Sequence, residues 1–434
     1  MSKILIKNVT VITMQGHDCI IDGGEIAIEQ GRISEVGPAG TVAADFIPEK
    51  VINGHGFVAL PGFINCHTHA SMTLLRGYAD DLPLMQWLSE KIWPLEDKLQ
   101  PEDIYWGSLL CCLEMIKSGT TTFADMYFHM SEVARAVEKA GMRASLSRGL
   151  IGVGPEADTA LEQSKQFVRD WHGAAGGRIT TMLGPHAPYT CPPDYIKKVI
   201  ALANELGVGI HIHLAETKTE LGDIVRDYGK SPVKLMLDIG LFECKVLAAH
   251  CVHLNDEDIE ILREKGVGVA HNPQSNMKLA SGIAPVTELL KHGVNVGLGT
   301  DGAASNNNLD MMEEMRSAAL LQKVATMDPM ALPSYQALKM ATCEGASVLG
   351  LQNDIGIIRK GMKADIILID FHRPHLYPKH DLIAHTVYSA QSADVQTVII
   401  DGNVVMENRK VLTIDEEEVL TEVQKRAERL VGQK

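Results

Sequence analysis

Two histidines spaced i, i+2 close an apolar run in Phe63-Ile64-Asn65-Cys66-His67-Thr68-His69. Side chains two apart on a strand leave the same face, so both imidazoles can reach one ion. An isolated His-x-His also reads as a hydrogen-bonded loop pair. A second run ends in His211-Ile212-His213-Leu214-Ala215-Glu216, where His213 lies nearer the C-terminal rim. That favours His213 as a ligand and leaves His211 as a core histidine. Glu216 follows three residues on, where a loop can fold its carboxylate back over the ion. Ala248-Ala249-His250 and Leu298-Gly299-Thr300-Asp301-Gly302 close two further runs, although Asp-Gly is also a common turn sequence. Four strand ends thus bring His67, His69, His213, His250 and Asp301 to one face. Imidazoles with a single carboxylate suit zinc or ferrous iron with one position open to water. Such an ion brings the pKa of its water to about 7, and hydrolysis is the chemistry that follows.

The elements that position these residues are β-type runs alternating with helical stretches. They are Phe57 to Ile64, Thr121 to Asp125, Ala144 to Ile151, Thr180 to Leu183, Val208 to His213, Val246 to His250, Val267 to Ala270 and Val294 to Leu298. Eight runs match a (β/α)8 barrel, and a doubly wound open sheet shares that count. The polar residues that follow nearly every run favour the barrel, whose C-terminal strand ends form its catalytic face. Residues 3–58 alternate in period two between turn residues, which predicts short antiparallel strands. The same texture returns in Ile366 to Ile369 and Val395 to Ile400, with an amphipathic helix over Asp415 to Val431. The expected organisation is therefore α/β: a TIM-type barrel over 59–360, and a small composite β-sandwich domain from 1–58 and 361–434.

With a formal charge of -15 over 434 residues, nucleic-acid polymers and anionic membranes are poor partners. A small uncharged or zwitterionic ligand remains compatible. The eight cysteines, Cys19, Cys66, Cys111, Cys112, Cys191, Cys244, Cys251 and Cys343, form no C-x-x-C pair and read as buried thiols of a reducing compartment. The N-terminus alternates like a strand and lacks the apolar core of a signal peptide. A cytoplasmic, homo-oligomeric protein is expected.

Taken in order, Pro-Gly-Phe-Ile-Asn-x-His-x-His, His-x-x-Glu, Ala-His and Gly-Thr-Asp-Gly resemble the amidohydrolase superfamily. Lys360-Gly361-Met362-Lys363-Ala364-Asp365 resembles part of that superfamily's composite small domain, so the resemblance spans essentially the whole chain. Binuclear members usually bridge two metals with a lysine after the fourth strand. Here that strand end reads Met182-Leu183-Gly184-Pro185-His186-Ala187-Pro188-Tyr189, without lysine. The resemblance thus implies one metal ion, Zn2+ or Fe2+, held by His67, His69, His213 and Asp301.

Within that branch, Leu74-Leu75-Arg76-Gly77, Trp93-Pro94-Leu95-Glu96, Gly184 to Tyr189 and Thr300 to Asn307 look like the 5'-methylthioadenosine/S-adenosylhomocysteine deaminases. The resemblance implies that Glu96, Arg148 and His186 bind a purine nucleoside, that Glu216 and Asp301 touch substrate and reacting water, and that His250 orients that water or stabilises an oxyanion. Chemistry agrees, because attack at purine carbon 6 must be coupled to protonation of ring nitrogen 1 and of the departing amine. Glu96 in a Leu-Glu-Asp-Lys stretch also reads as a solvated helix residue, and Arg148 as a surface ion-pair partner. Met85, Trp87 and Leu88 are placed to cover an alkylthio group or to pack in a core or subunit contact. Guanine deaminases and triazine chlorohydrolases share the architecture, and a barrel serving only as a scaffold is the reading from a different class.

Overall fold

Residues 3–16 and 20–432 are described by a computed structural model. The chain opens with β1 (Ile4–Ile12), β2 (Ile20–Glu29), β3 (Arg32–Pro38), β4 (Lys50–Asn53) and β5 (Phe57–Pro61). Eight parallel strands follow: β6 (Phe63–Thr68), β7 (Thr120–Tyr127), β8 (Arg143–Leu150), β9 (Ile179–Pro185), β10 (Gly209–Leu214), β11 (Val246–His250), β12 (Gly268–His271) and β13 (Asn295–Leu298). The last strands are β14 (Ile366–Asp370), β15 (Val395–Ile400), β16 (Asn403–Glu407) and β17 (Lys410–Val411).

Strands β6 to β13 form one sheet in sequence order, with helices in the connections, which is the expected (β/α)8 barrel. Their residues are almost all buried, as parallel strands covered on both faces must be. The ring closes between β13 and β6 through the backbone N–H of Asp301, which donates to His67 O at 2.9 Å. The Asn65 side chain adds two bonds there, donating to Thr300 Oγ1 at 2.7 Å and accepting from Thr300 N at 3.1 Å. The closure therefore also fixes where the residues after both strands point.

The two chain ends build a nine-stranded mixed sheet in the order β17-β16-β15-β14-β5-β1-β2-β3, with β4 beside β1. Two details depart from the sequence reading. The run from Phe57 to Ile64 is not one barrel strand: β5 pairs with β1 and β14 in the mixed sheet, and the barrel begins at Phe63. Gly62 makes the transfer, at a point so close to β7 that a Cβ there would lie 2.2 Å from the Thr121 side chain. Nor are the early strands all antiparallel, since β4 and β5 both run parallel to β1. The excursion over residues 39–49 returns the chain to the starting edge, and only such a crossover permits parallel pairing.

A buried ion cluster joins the mixed sheet to the barrel floor. Arg143, at the start of β8, donates to both oxygens of Asp365 at 2.9 and 3.1 Å and reaches Asp401 Oδ1 at 3.4 Å. The C-terminal helix Glu416–Val431 docks through Arg426, whose Nη1 lies 3.1 Å from Asp103 Oδ1 on the helix Pro101–Ser118. No helix among the described residues is long and apolar enough to cross a membrane. The seven described cysteines are free and five are buried; Cys19 lies outside the described residues.

Candidate active site

The histidines and Asp301 meet at the C-terminal ends of the barrel strands. His67 and His69 come from β6 and its end, His213 from β10, His250 from the end of β11, and Asp301 lies just beyond β13. The ligand atoms of His67, His69 and His213 lie within 4.8 Å of one another, as do those of His67, His250 and Asp301. Asp301 Oδ1 is 3.4 Å from His67 Nε2 and 3.2 Å from His69 Nε2, while His213 Nε2 is 3.4 Å from His69 Nε2.

Which nitrogen faces that point follows from the opposite side of each ring. His69 Nδ1 donates to Met126 O at 2.6 Å and His213 Nδ1 to His186 O at 2.7 Å. A carbonyl only accepts, so the hydrogen sits on Nδ1 and the Nε2 lone pair is directed inward. His67 Nε2 is buried and makes no hydrogen bond at all. Converging lone pairs, a carboxylate and an orphaned buried nitrogen are the donor set a divalent ion requires, so these residues fit one.

Asp301 adopts φ 60, the left-handed region, and Gly302 N donates to its Oδ1 at 2.8 Å. Its Oδ2 accepts from Ser275 Oγ at 2.7 Å and Ser305 Oγ at 3.1 Å. Asp301 thus turns one oxygen to the imidazoles and has the other tied down.

Glu216 and His250 face each other across the same space, with Glu216 Oε2 3.9 Å from His250 Nε2. The Glu216 backbone is gripped by Glu220, which accepts from Ala215 N at 2.9 Å and Glu216 N at 2.8 Å. Burial raises the Glu216 carboxyl; His250 pulls it back and Asp301 pushes it further up. His250 is held from behind by Asn276, 2.9 Å from its Nδ1. His186, just past β9, bonds Thr190 Oγ1 at 2.9 Å and is lowered to about 4 by burial and the neighbouring His69 and His250, so it is neutral at pH 7.

These groups line a cavity with an empty volume of ≈ 830 Å³ whose walls include Trp87, Leu88, Trp93, Tyr127 and Leu279. Glu96 lies at its outer side, half-buried, and accepts from Tyr127 Oη at 2.5 Å; burial raises its carboxyl. Met85 is exposed and does not line it. Arg148 stands apart, in an adjoining cavity of ≈ 2010 Å³ that shares Trp93, Glu96, Phe128, Ile151 and Thr190 with the first. Its guanidinium donates to Gly149 O and Gln163 Oε1, at 2.9 and 2.5 Å, and pairs with no carboxylate among the described residues.

Sequence reasoning missed Tyr127, Ser275, Ser305, Asn276 and Glu220. The usable signal is position: Tyr127 follows Asp125 by two at a strand rim, and Ser275 and Asn276 lie just beyond the seventh barrel strand.

The model of the Amidohydrolase family matches residues 58–405. A protein of Pelotomaculum thermopropionicum named 5-methylthioadenosine/S-adenosylhomocysteine deaminase is 66% identical over 432 residues, 100% of each chain. A 5'-deoxyadenosine deaminase of Methanosarcina mazei is 54% identical over 434 residues, 100% of this chain and 99% of that one. Among solved structures, an adenosine deaminase of Xanthomonas campestris with bound zinc superposes with a TM-score of 0.95 at 33% identity, covering 99% of this chain and 98% of the other.

Proposed function

This chain belongs to the amidohydrolase family, and from that premise we propose that it is a hydrolytic deaminase of adenosine nucleosides carrying a sulfur-linked 5' substituent. 5'-Methylthioadenosine and S-adenosylhomocysteine are the substrates named for its relative of 66% identity. The observation that carries the reading is one cavity lined at its inner end by Glu216, His250 and Asp301 beside the imidazole cluster, and at its outer end by Glu96. The reaction replaces the amino group on purine carbon 6 by oxygen: nucleoside and water give the inosine analogue and ammonia.

His67, His69, His213 and Asp301 would hold one divalent ion, most simply zinc, as the Xanthomonas structure contains. When bound, such an ion supplies a water acidic enough to attack near neutral pH. Glu216 takes a proton from that water and delivers it to ring nitrogen 1, relieving the charge that attack at carbon 6 would build there. A raised carboxyl suits this task, because the group must give the proton up again. His250 Nε2 accepts a hydrogen from the water and aims it. Asp301, its Oδ2 fixed by Ser275 and Ser305, keeps Oδ1 toward the reacting side, where it takes the second hydrogen of the attacking water as the new carbon–oxygen double bond forms and passes it to the departing amine, which leaves as ammonia.

Away from the chemistry, Glu96 offers two oxygens to the ribose hydroxyls, with Tyr127 holding one of them in place. His186 presents its neutral ring to the purine. Arg148, which has no acidic partner among the described residues, supports the reach toward a substrate carboxylate such as that of a homocysteine tail. Glu216→Gln tests the central role: the variant is expected to bind a full equivalent of metal and lose about 10²–10⁴-fold in ammonia release. Metal content and turnover both at wild-type level would refute the assignment.

A further inference from the structure

Two of the three converging imidazoles are tied to main-chain carbonyls, His69 to Met126 O at 2.6 Å and His213 to His186 O at 2.7 Å. His67 differs, because its Nδ1 lies 2.8 Å from Nε2 of His211, a side chain that can either accept or donate. His211 is buried beneath the cluster, with its own Nδ1 3.3 Å from Ser147 Oγ, and Ser147 Oγ lies 2.8 Å from the backbone oxygen of Asp125.

This chain of groups has one consistent direction. The Asp125 carbonyl has no hydrogen to give, so the Ser147 hydroxyl spends its single hydrogen there. Ser147 Oγ then accepts, and the hydrogen of neutral His211 must sit on Nδ1. That leaves a lone pair on His211 Nε2, which takes the hydrogen on His67 Nδ1. His67 Nε2 is left bare and turned inward, toward Asp301 Oδ1 at 3.4 Å. An imidazole behind a ligand has two senses where a carbonyl has one, and Ser147 removes the choice.

We propose that His211, oriented by Ser147, is the positioning residue that fixes the tautomer and ring orientation of His67 and thereby sets the affinity of the site for its divalent ion. The proposal rests on His67 being a ligand, as read above. It assigns a role to a residue whose position lower in the barrel otherwise reads as core packing.

Zinc dissociation constants measured by competition with a chromophoric chelator, together with the visible spectrum of the cobalt-substituted protein, test it on the full chain. His211→Leu removes the acceptor at similar volume and is expected to weaken zinc binding about 10–100-fold with an altered cobalt spectrum. His211→Gln, whose amide oxygen can accept the same hydrogen, is expected to restore most of the affinity. Ser147→Ala should weaken binding about five-fold, the equivalent of one hydrogen bond of roughly 1 kcal/mol. Wild-type affinity and spectrum in His211→Leu would overturn the proposal, as would equal losses in His211→Leu and His211→Gln. Should His211→Leu fail to fold, Ser147→Ala decides: weakened binding supports the relay and unchanged binding overturns it. His67→Ala separates the underlying reading, because full wild-type affinity without His67 would refute its role as a ligand, whatever His211 does.

Discussion

Glu216 owes its chemistry to its surroundings. Burial moves its carboxyl above the ordinary value of 4.5, and the negative Asp301 adds to the shift while His250 restrains it. A raised pKa means that ionisation is completed at higher pH, so a base of this kind loses activity as pH falls through a range above that of an ordinary glutamate. The acid limb of kcat/KM is accordingly expected above pH 4.5, with the limb lost in Glu216→Gln; a profile flat down to pH 4.5 would contradict the role. Histidines and the aspartate were legible in the sequence because each follows directly on an apolar run and their order along the chain is informative. Ser275, Ser305, Asn276 and Tyr127 were not, since hydroxyls and amides occur throughout loops. Their meaning lies in contacts such as Ser275 to Asp301, made 26 residues apart.

Elements carry these residues only as accurately as the two sheets are held together. Arg143 is the main fastener, 5% exposed between Asp365 and Asp401, which are 2% and 3% exposed. Burying one guanidinium against two carboxylates is costly by itself, and removing it strands Asp365 and leaves Asp401 to Lys363 alone. Arg143→Ala is expected to lose about 3–5 kcal/mol of unfolding free energy, measured by denaturant titration of the metal-loaded protein. A loss under about 1 kcal/mol would mean that Lys363, 2.9 Å from Asp401, suffices alone. The eight barrel strands were readable because each apolar run is local. The division of one run at Gly62 was not, because moving from one sheet to another changes the partners of a strand and leaves its composition the same. The parallel pairing of β4 and β5 with β1 was hidden for the same reason: local alternation marks a strand and says nothing of its direction.

For the molecule as a whole, the proposed function divides recognition between the two adjoining cavities. On the proposed function, the inner one turns Glu216, His250 and Asp301 to the base, while the outer one holds the Arg148 guanidinium, which pairs with no carboxylate among the described residues. Arg148→Met should therefore raise KM for S-adenosylhomocysteine, whose tail carries a carboxylate, by about 10–100-fold, the range of a hydrogen bond to a charged group. It should leave 5'-methylthioadenosine nearly untouched; equal effects on both would contradict a carboxylate contact. The reaction class could be read from the sequence because metal ligands, their order and the added glutamate are all encoded locally. The link between the two cavities could not, since it depends on how the segment through Trp93 and Glu96 folds over the barrel mouth. The most direct test of the account is ammonia release by the zinc-loaded protein supplied with 5'-methylthioadenosine and S-adenosylhomocysteine. One ammonia for each inosine analogue formed is the predicted result. A protein that holds one equivalent of metal yet releases no ammonia from any adenosine nucleoside would contradict it.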